Sequence, residues 1–198
     1  MLPRSGKARA LFVAVPVAAV SMALLGSAVA GAETAPAPVA GGKGVIKMVL
    51  KGKKLAFEAP ETIEEGAKLE IYNETNPKQV GPHTFSLVTK GSIPKTPKAR
   101  QTCFTPNHIC MSIAKWHGAT ANGPVKVNPV EVGLEGWDTL GSLTKKGDSW
   151  FTGEKPKTSI VQQVSAAAGT TIYFMCAIHP WMHGSIEVVA PAVGVPGV

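Results

Sequence analysis

Apolar side chains recur at every second position through short segments of this chain, and glycines stand between several of them. Leu69, Ile71 and Asn73 alternate with Lys68, Glu70 and Tyr72, and Phe85, Leu87 and Thr89 alternate with Thr84, Ser86 and Val88. A period of two sends successive side chains to opposite faces, which is the pattern of a strand with one buried face. The segments read this way are Val45–Leu50, Leu55–Glu58, Ala67–Asn73, His83–Thr89, Ser159–Ser165, Thr170–Cys176 and Ser185–Ala190. Between them stand Lys51-Gly52-Lys53, Glu65-Gly66, Gly169 and Gly184, residues that accept tight-turn backbone angles. The prediction is an all-β fold, an antiparallel Greek-key β-sandwich over residues 45–190. Composition agrees: 17% charged residues with 21 Gly and 16 Pro in 198 residues exclude a coiled coil or helical bundle. The length suits one domain rather than two.

One interval breaks the rhythm. Residues 90–157 are too many for a simple loop and are expected to form a partly helical insertion. Thr105 as N-cap, Pro106 at the first helical position, apolar Ile109, Ile113 and Trp116 on one face and Gly118 as the stop predict a helix there. Trp137 and Trp150 are expected to anchor the insertion to the sandwich.

The N-terminus follows a different logic. Arg4, Lys7 and Arg9 precede an apolar run from Leu11 to Leu25, and the small residues Ser27 to Ala32 follow. This is the layout of a secretory signal peptide, expected over residues 1–30, with an uncleaved membrane anchor as the alternative. Residues 31–44 read as a flexible leader and 191–198 as a disordered tail. Losing those three basic residues leaves a mildly basic chain from a formal charge of +7, and no basic run suggests nucleic acid. Export, to a periplasm, a cell surface or the medium, places the cysteines where disulfides persist.

The densest chemistry lies in Met175-Cys176-Ala177-Ile178-His179-Pro180-Trp181-Met182-His183. Cys-x-x-His-x-x-Met at a strand end can turn thiolate, imidazole and thioether toward one point. His83, in Gly81-Pro82-His83-Thr84-Phe85, offers a second imidazole at the start of another strand. Two imidazoles, one thiolate and a weak thioether are the donor set of a blue-copper site, and soft sulfur ligands favour copper over hard cations.

On these residues the chain resembles the cupredoxins, the small blue copper proteins, and the short Cys-to-Met loop is most similar to amicyanin. The likeness covers the strands around 45–89 and 159–190 and not the insertion. It implies one copper ion, Cu(II)/Cu(I), with His83, Cys176 and His179 as equatorial ligands and Met182 as the axial one. It also implies a one-electron carrier rather than an enzyme, since protein fills all four positions. Pro180 and Trp181 would form an apolar docking patch beside His179 for a transient redox protein partner. No small-molecule substrate and no oligomer are expected. The competing reading is an exported copper-binding or copper-delivery protein without electron transfer.

The family commonly has Asn after its first His, bonded to a hydroxyl residue after the Cys; here those positions hold Thr84 and Ala177. His183 is expected at the surface beside the site. With Cys176 given to metal, Cys103 and Cys110 are expected to pair in a disulfide, contributing roughly 2.5 kcal/mol by closing a short loop. The alternative is a second metal site built with His108 or His117.

Overall fold

The computed structural model describes residues 42–120, 127–133 and 135–192. The signal peptide, residues 31–41 of the leader and residues 193–198 of the tail lie outside the described residues.

Two sheets form the body. In the first, β1 (Lys43–Lys51) lies between β2 (Lys54–Glu58) and β4 (Lys68–Asn73), and β4 pairs with β8 (Ser159–Gln163). In the second, the order runs β3 (Thr62–Glu64), β10 (His183–Val189), β9 (Thr171–Met175), β5 (Thr84–Leu87), β7 (Ser149–Phe151) and β6 (Glu131–Val132). Alternation does the sorting. Ile46, Met48, Leu69 and Ile71 of one sheet and Phe85, Leu87, Ile172, Phe174, Ile186 and Val188 of the other are all buried in one core. Phe85 stands at its centre, 5.0 Å from the Phe174 ring and edge-on to Trp137 at 5.1 Å.

The sandwich is as expected, but its sheets are mixed and not purely antiparallel. β1 runs parallel to β4, and β10 parallel to β3. The cause is the three-residue β3, which the alternation was too short to reveal. After β2 the chain crosses to the second sheet for β3 and crosses back for β4, so β4 enters beside β1 in the same direction.

The insertion is built onto the sandwich. β7 extends the second sheet beyond β5, with Thr84 opposite Phe151 and Ser86 opposite Ser149. Two short helices, α1 (Pro77–Val80) before β5 and α2 (Pro97–Gln101) within the insertion, start on prolines capped by Asn76 and Thr96. The expected amphipathic helix is α3 (Ile109–Trp116). Its buried face is the expected one, Ile109, Ile113 and Trp116, and Gly118 at φ 86° follows its end. Its start is later than Thr105-Pro106 suggested. Asn107 takes φ 65°, a left-handed angle that Asn tolerates and a helix does not, so winding begins only after His108. Thr105 instead bonds the Thr102 carbonyl and His108 Nδ1.

Ile113, Trp116 and the Cys103–Cys110 disulfide gather with Val88, Met175 and Ala177 in a second apolar cluster. Met175 and Ala177 flank Cys176, so the insertion braces the outer side of the strand end whose inner side carries the thiol. Trp137 is wholly buried in the main core and Trp150 nearly so, which makes both the anchors expected of them.

Candidate metal centre

β5 and β9 are antiparallel neighbours, with Ser86 opposite Met175 and Leu87 opposite Phe174. Continued past the end of β9, this register sets Cys176 opposite Phe85 and Ala177 opposite Thr84. His83, just before β5, thereby comes beside Cys176, which is far from it in sequence. The loop after Cys176 folds back on itself: Cys176 N–H donates to Met182 O at 2.9 Å, and Met182 N–H donates to His179 O at 2.8 Å. The buried Met182 is thereby returned to the core beside Cys176.

Three donor atoms converge. His83 Nδ1 lies 3.8 Å from Cys176 Sγ, His179 Nδ1 lies 3.7 Å from the same sulfur, and the two nitrogens are 3.1 Å apart. A point equidistant from the three is about 2.1 Å from each, within the usual range of about 2.0–2.3 Å for metal–nitrogen and metal–thiolate bonds. All three residues are buried. The triangle therefore fits a metal ion, and the softness of its sulfur donor fits copper.

The surroundings hold both imidazoles in their ligating form. His83 Nε2 is 3.0 Å from Thr75 Oγ1, and the Thr75 hydroxyl donates to Asn73 Oδ1 at 2.7 Å. Asn73 Oδ1 also accepts from Thr75 N–H, which fixes that atom as the carbonyl oxygen. The Thr75 oxygen must then accept from His83 Nε2–H, leaving His83 Nδ1 bare and aimed at the other donors. Thr152 clamps the backbone on either side of that ring, its hydroxyl accepting from His83 N–H at 3.0 Å and its own N–H donating to His83 O at 3.0 Å. Burial, reinforced by the neighbouring His179, pushes the His83 pKa down to about 4. Burial also lowers that of His179, with the Val80 backbone opposing. Both imidazoles are neutral near pH 7, as ligation needs.

Cys176 Sγ accepts N–H bonds from Thr84 and His179, both at 3.4 Å. Burial pushes its thiol pKa up, and these donors pull against it. A metal must expel the thiol proton to bind. The cross-link that the resemblance gives to an Asn and a hydroxyl is remade here: Thr84 Oγ1 accepts from Ala177 N–H at 2.8 Å. Ala177 needs no hydroxyl, because its side chain is covered by the insertion.

The remaining site residues separate. Trp181 is 45% exposed and meets the His179 ring edge-on at 5.2 Å. Pro180 is buried, so it does not share the exposed face expected for the pair. Gly81, at φ 81°, adopts a left-handed angle beside the His179 ring, where a Cβ would lie 3.8 Å from the ring. His183 is exposed and borders a cleft of about 350 Å³ lined by Lys90, Lys95 and Arg100 with Ile93 and Tyr173. Cys103 and Cys110 are paired in a disulfide, which removes the thiolates a second metal site would need. His108 is bonded locally to Thr105 and Pro106, and His117 to Pro129 and Ser149. Sequence reasoning missed Asn73, Thr75 and Thr152. Only Asn73-x-Thr75, a short polar pair ending a strand, could have drawn notice.

No family model matches the chain, and no curated protein matches it. Among solved structures it is similar to dithionite-reduced auracyanin from the photosynthetic bacterium Roseiflexus castenholzii, at 15% identity and a TM-score of 0.40, covering 76% of this chain and 99% of that one. It is also similar to auracyanin A, a blue copper protein of Chloroflexus aurantiacus, at 18% identity and a TM-score of 0.38, covering 74% and 99%. Reduced rusticyanin follows at 21% identity and a TM-score of 0.31, covering 74% of this chain and 75% of that one. The local geometry is more specific than these distant likenesses. A β-sandwich carrying a buried His83–Cys176–His179–Met182 cluster suited to a single copper ion fits a blue-copper site.

Proposed function

We propose that this chain is an exported blue-copper protein of the cupredoxin kind that carries single electrons between redox proteins. The observation that carries the reading is the convergence of two Nδ1 atoms and one thiol sulfur on a point at bonding distance from each. His83, Cys176 and His179 would hold the ion, with the buried Met182 as the weak fourth ligand. A copper ion there supplies one-electron exchange between its cuprous and cupric states. The protein's part is to keep the donors still. Thr75 and Thr152 fix His83, the folded-back loop fixes His179 and Met182, and the insertion braces Met175 and Ala177. Donors held by packing need little rearrangement when charge changes.

Burial of all four side chains supports a carrier rather than an enzyme, since four protein ligands would leave no position open for substrate. Trp181, exposed and in contact with the His179 ring, is the surface point at which a transient partner would meet the site. Small, weak interfaces suit such encounters.

The test is a visible spectrum after Cu(II) addition, beside Cys176→Ala. An intense thiolate-to-copper band, absent in the variant, is expected. Colourless, weak copper binding would overturn the reading in favour of copper handling. Trp181→Lys is expected to slow electron exchange with a partner while leaving the band in place. An unchanged rate would remove Trp181 from the docking face.

A further inference from the structure

A line of buried hydroxyls runs from the insertion to the candidate centre. His117, at the C-terminal end of α3, is 3% exposed. Its Nδ1 lies 2.8 Å from the Pro129 carbonyl and its Nε2 lies 2.7 Å from Ser149 Oγ. Ser149 Oγ is 2.7 Å from Ser86 Oγ, and the Ser86 hydroxyl is placed to donate to Thr84 Oγ1 at 3.0 Å. Thr84 Oγ1 accepts from Ala177 N–H, and Thr84 N–H donates to Cys176 Sγ. Every member from His117 to Cys176 is buried.

We propose that His117 is a positioning residue for the metal centre, acting through Ser149, Ser86 and Thr84 on the Cys176 sulfur. The inference rests on the copper reading above, and it concerns residues that touch no metal.

The argument is a count of hydrogens. A carbonyl oxygen only accepts, so His117 Nδ1 carries a proton in either charge state. In the neutral imidazole Nε2 is bare and takes the Ser149 hydrogen. Ser86 must then give its hydrogen to Ser149, and Thr84 Oγ1 loses that donor and keeps only Ala177 N–H. In the imidazolium the hydrogens run the other way: Nε2–H serves Ser149, Ser149 serves Ser86, and Ser86 serves Thr84, the direction its placement favours. Thr84 Oγ1 then accepts from both Ser86 and Ala177 N–H. Accepting two bonds makes the Thr84 hydroxyl the stronger donor, and that hydroxyl helps lower the Cys176 thiol pKa. A proton from solvent taken up at Nε2 thus strengthens Thr84 as a donor beside the thiolate. That stabilises the electron-richer, reduced form.

Burial lowers the His117 pKa and the Pro129 carbonyl partly restores it, so the imidazolium forms below the ordinary histidine range. The described titratable groups on the elements around it are Lys115 on α3, Glu131 on β6 and Asp148 before β7. The Asp148 carboxylate accepts from Asp138 and Thr139 N–H, and burial raises its pKa.

Two readouts test this. In the metal-free protein, nitrogen NMR of the ring is expected to show Nδ1 protonated throughout and Nε2 titrating. In Ser149→Ala, Nε2 is expected to lose its hydrogen-bond shift. In the copper-loaded protein the reduction potential and the thiolate band are expected to shift as pH falls through that same midpoint, favouring Cu(I) by about tenfold, the worth of one bond to a charged group. His117→Gln is expected to abolish that dependence. Ser149→Ala is expected to hold the acid-limb potential at all pH, and Ser149→Thr, which keeps a hydroxyl, to restore the dependence. A potential that ignores the His117 titration, or that keeps its pH profile in His117→Gln, overturns the relay while the blue band still stands. A protein with no blue band at all overturns the copper reading instead.

Discussion

Thr75 decides which nitrogen of His83 faces its fellow donors. Its hydroxyl is committed to Asn73, so its oxygen can only accept, and the imidazole proton is held on the outer edge. Thr75→Val keeps the volume and removes that partner. Copper affinity is expected to fall about 10- to 100-fold, the usual cost of removing a group that orients a metal-bound histidine. A chelator competition titration with no change would show that packing alone orients the ring. Cys176 makes a second prediction at this scale. Because burial keeps its thiol protonated at neutral pH, copper binding is expected to release about one proton per ion. Uptake of copper without acidification of a weakly buffered solution would contradict it. The donors could be read from the sequence because three lie in one short loop and the fourth opens a strand of clear alternation. Their supports could not. Thr152 reaches His83 across 69 positions, and no local pattern encodes that contact.

At the level of elements, sequence legibility follows length. β1, β4, β9 and β10 alternate for long enough to be recognised, whereas β3 and β7 have three residues each and no periodicity to read. The parallel pairings were hidden for a related reason, since they depend on where β3 goes. α3 showed its apolar face clearly, but its start was set by the backbone angle of Asn107, which overrode the Thr-Pro signal before it. That helix also yields a test. Ile113 is 1% exposed in the cluster that includes Met175 and Ala177. Ile113→Ala is expected to cost about 2–5 kcal/mol in urea unfolding of the metal-free protein. A loss below about 1 kcal/mol would mean that the cluster relaxes around the gap, as loosely packed sites do.

For the whole molecule, the buried histidines tie stability to acidity. An unfolded histidine titrates near 6.5, while folded His83 is held to about 4. A lowered histidine pKa means the folded state resists protonation. Its contribution is full above pH 6.5 and is lost as pH falls toward 4. For His83 alone the loss is about 3 kcal/mol, and His117 and His179 add to it in the same direction. Metal-free protein is expected to unfold at lower urea as pH drops through this window. A flat profile would show that these rings are wetter than their packing implies.

His83 and Cys176 are 93 residues apart and meet only because β5 and β9 pair. On the copper reading, the colour would therefore report on long-range assembly. A chain that had formed its hairpins but not joined the strands before and after the insertion would carry donors and show no blue. Stopped-flow absorbance with copper present would then time one event in folding, the closing of the second sheet. A conventional helix or strand signal averages that event with every other.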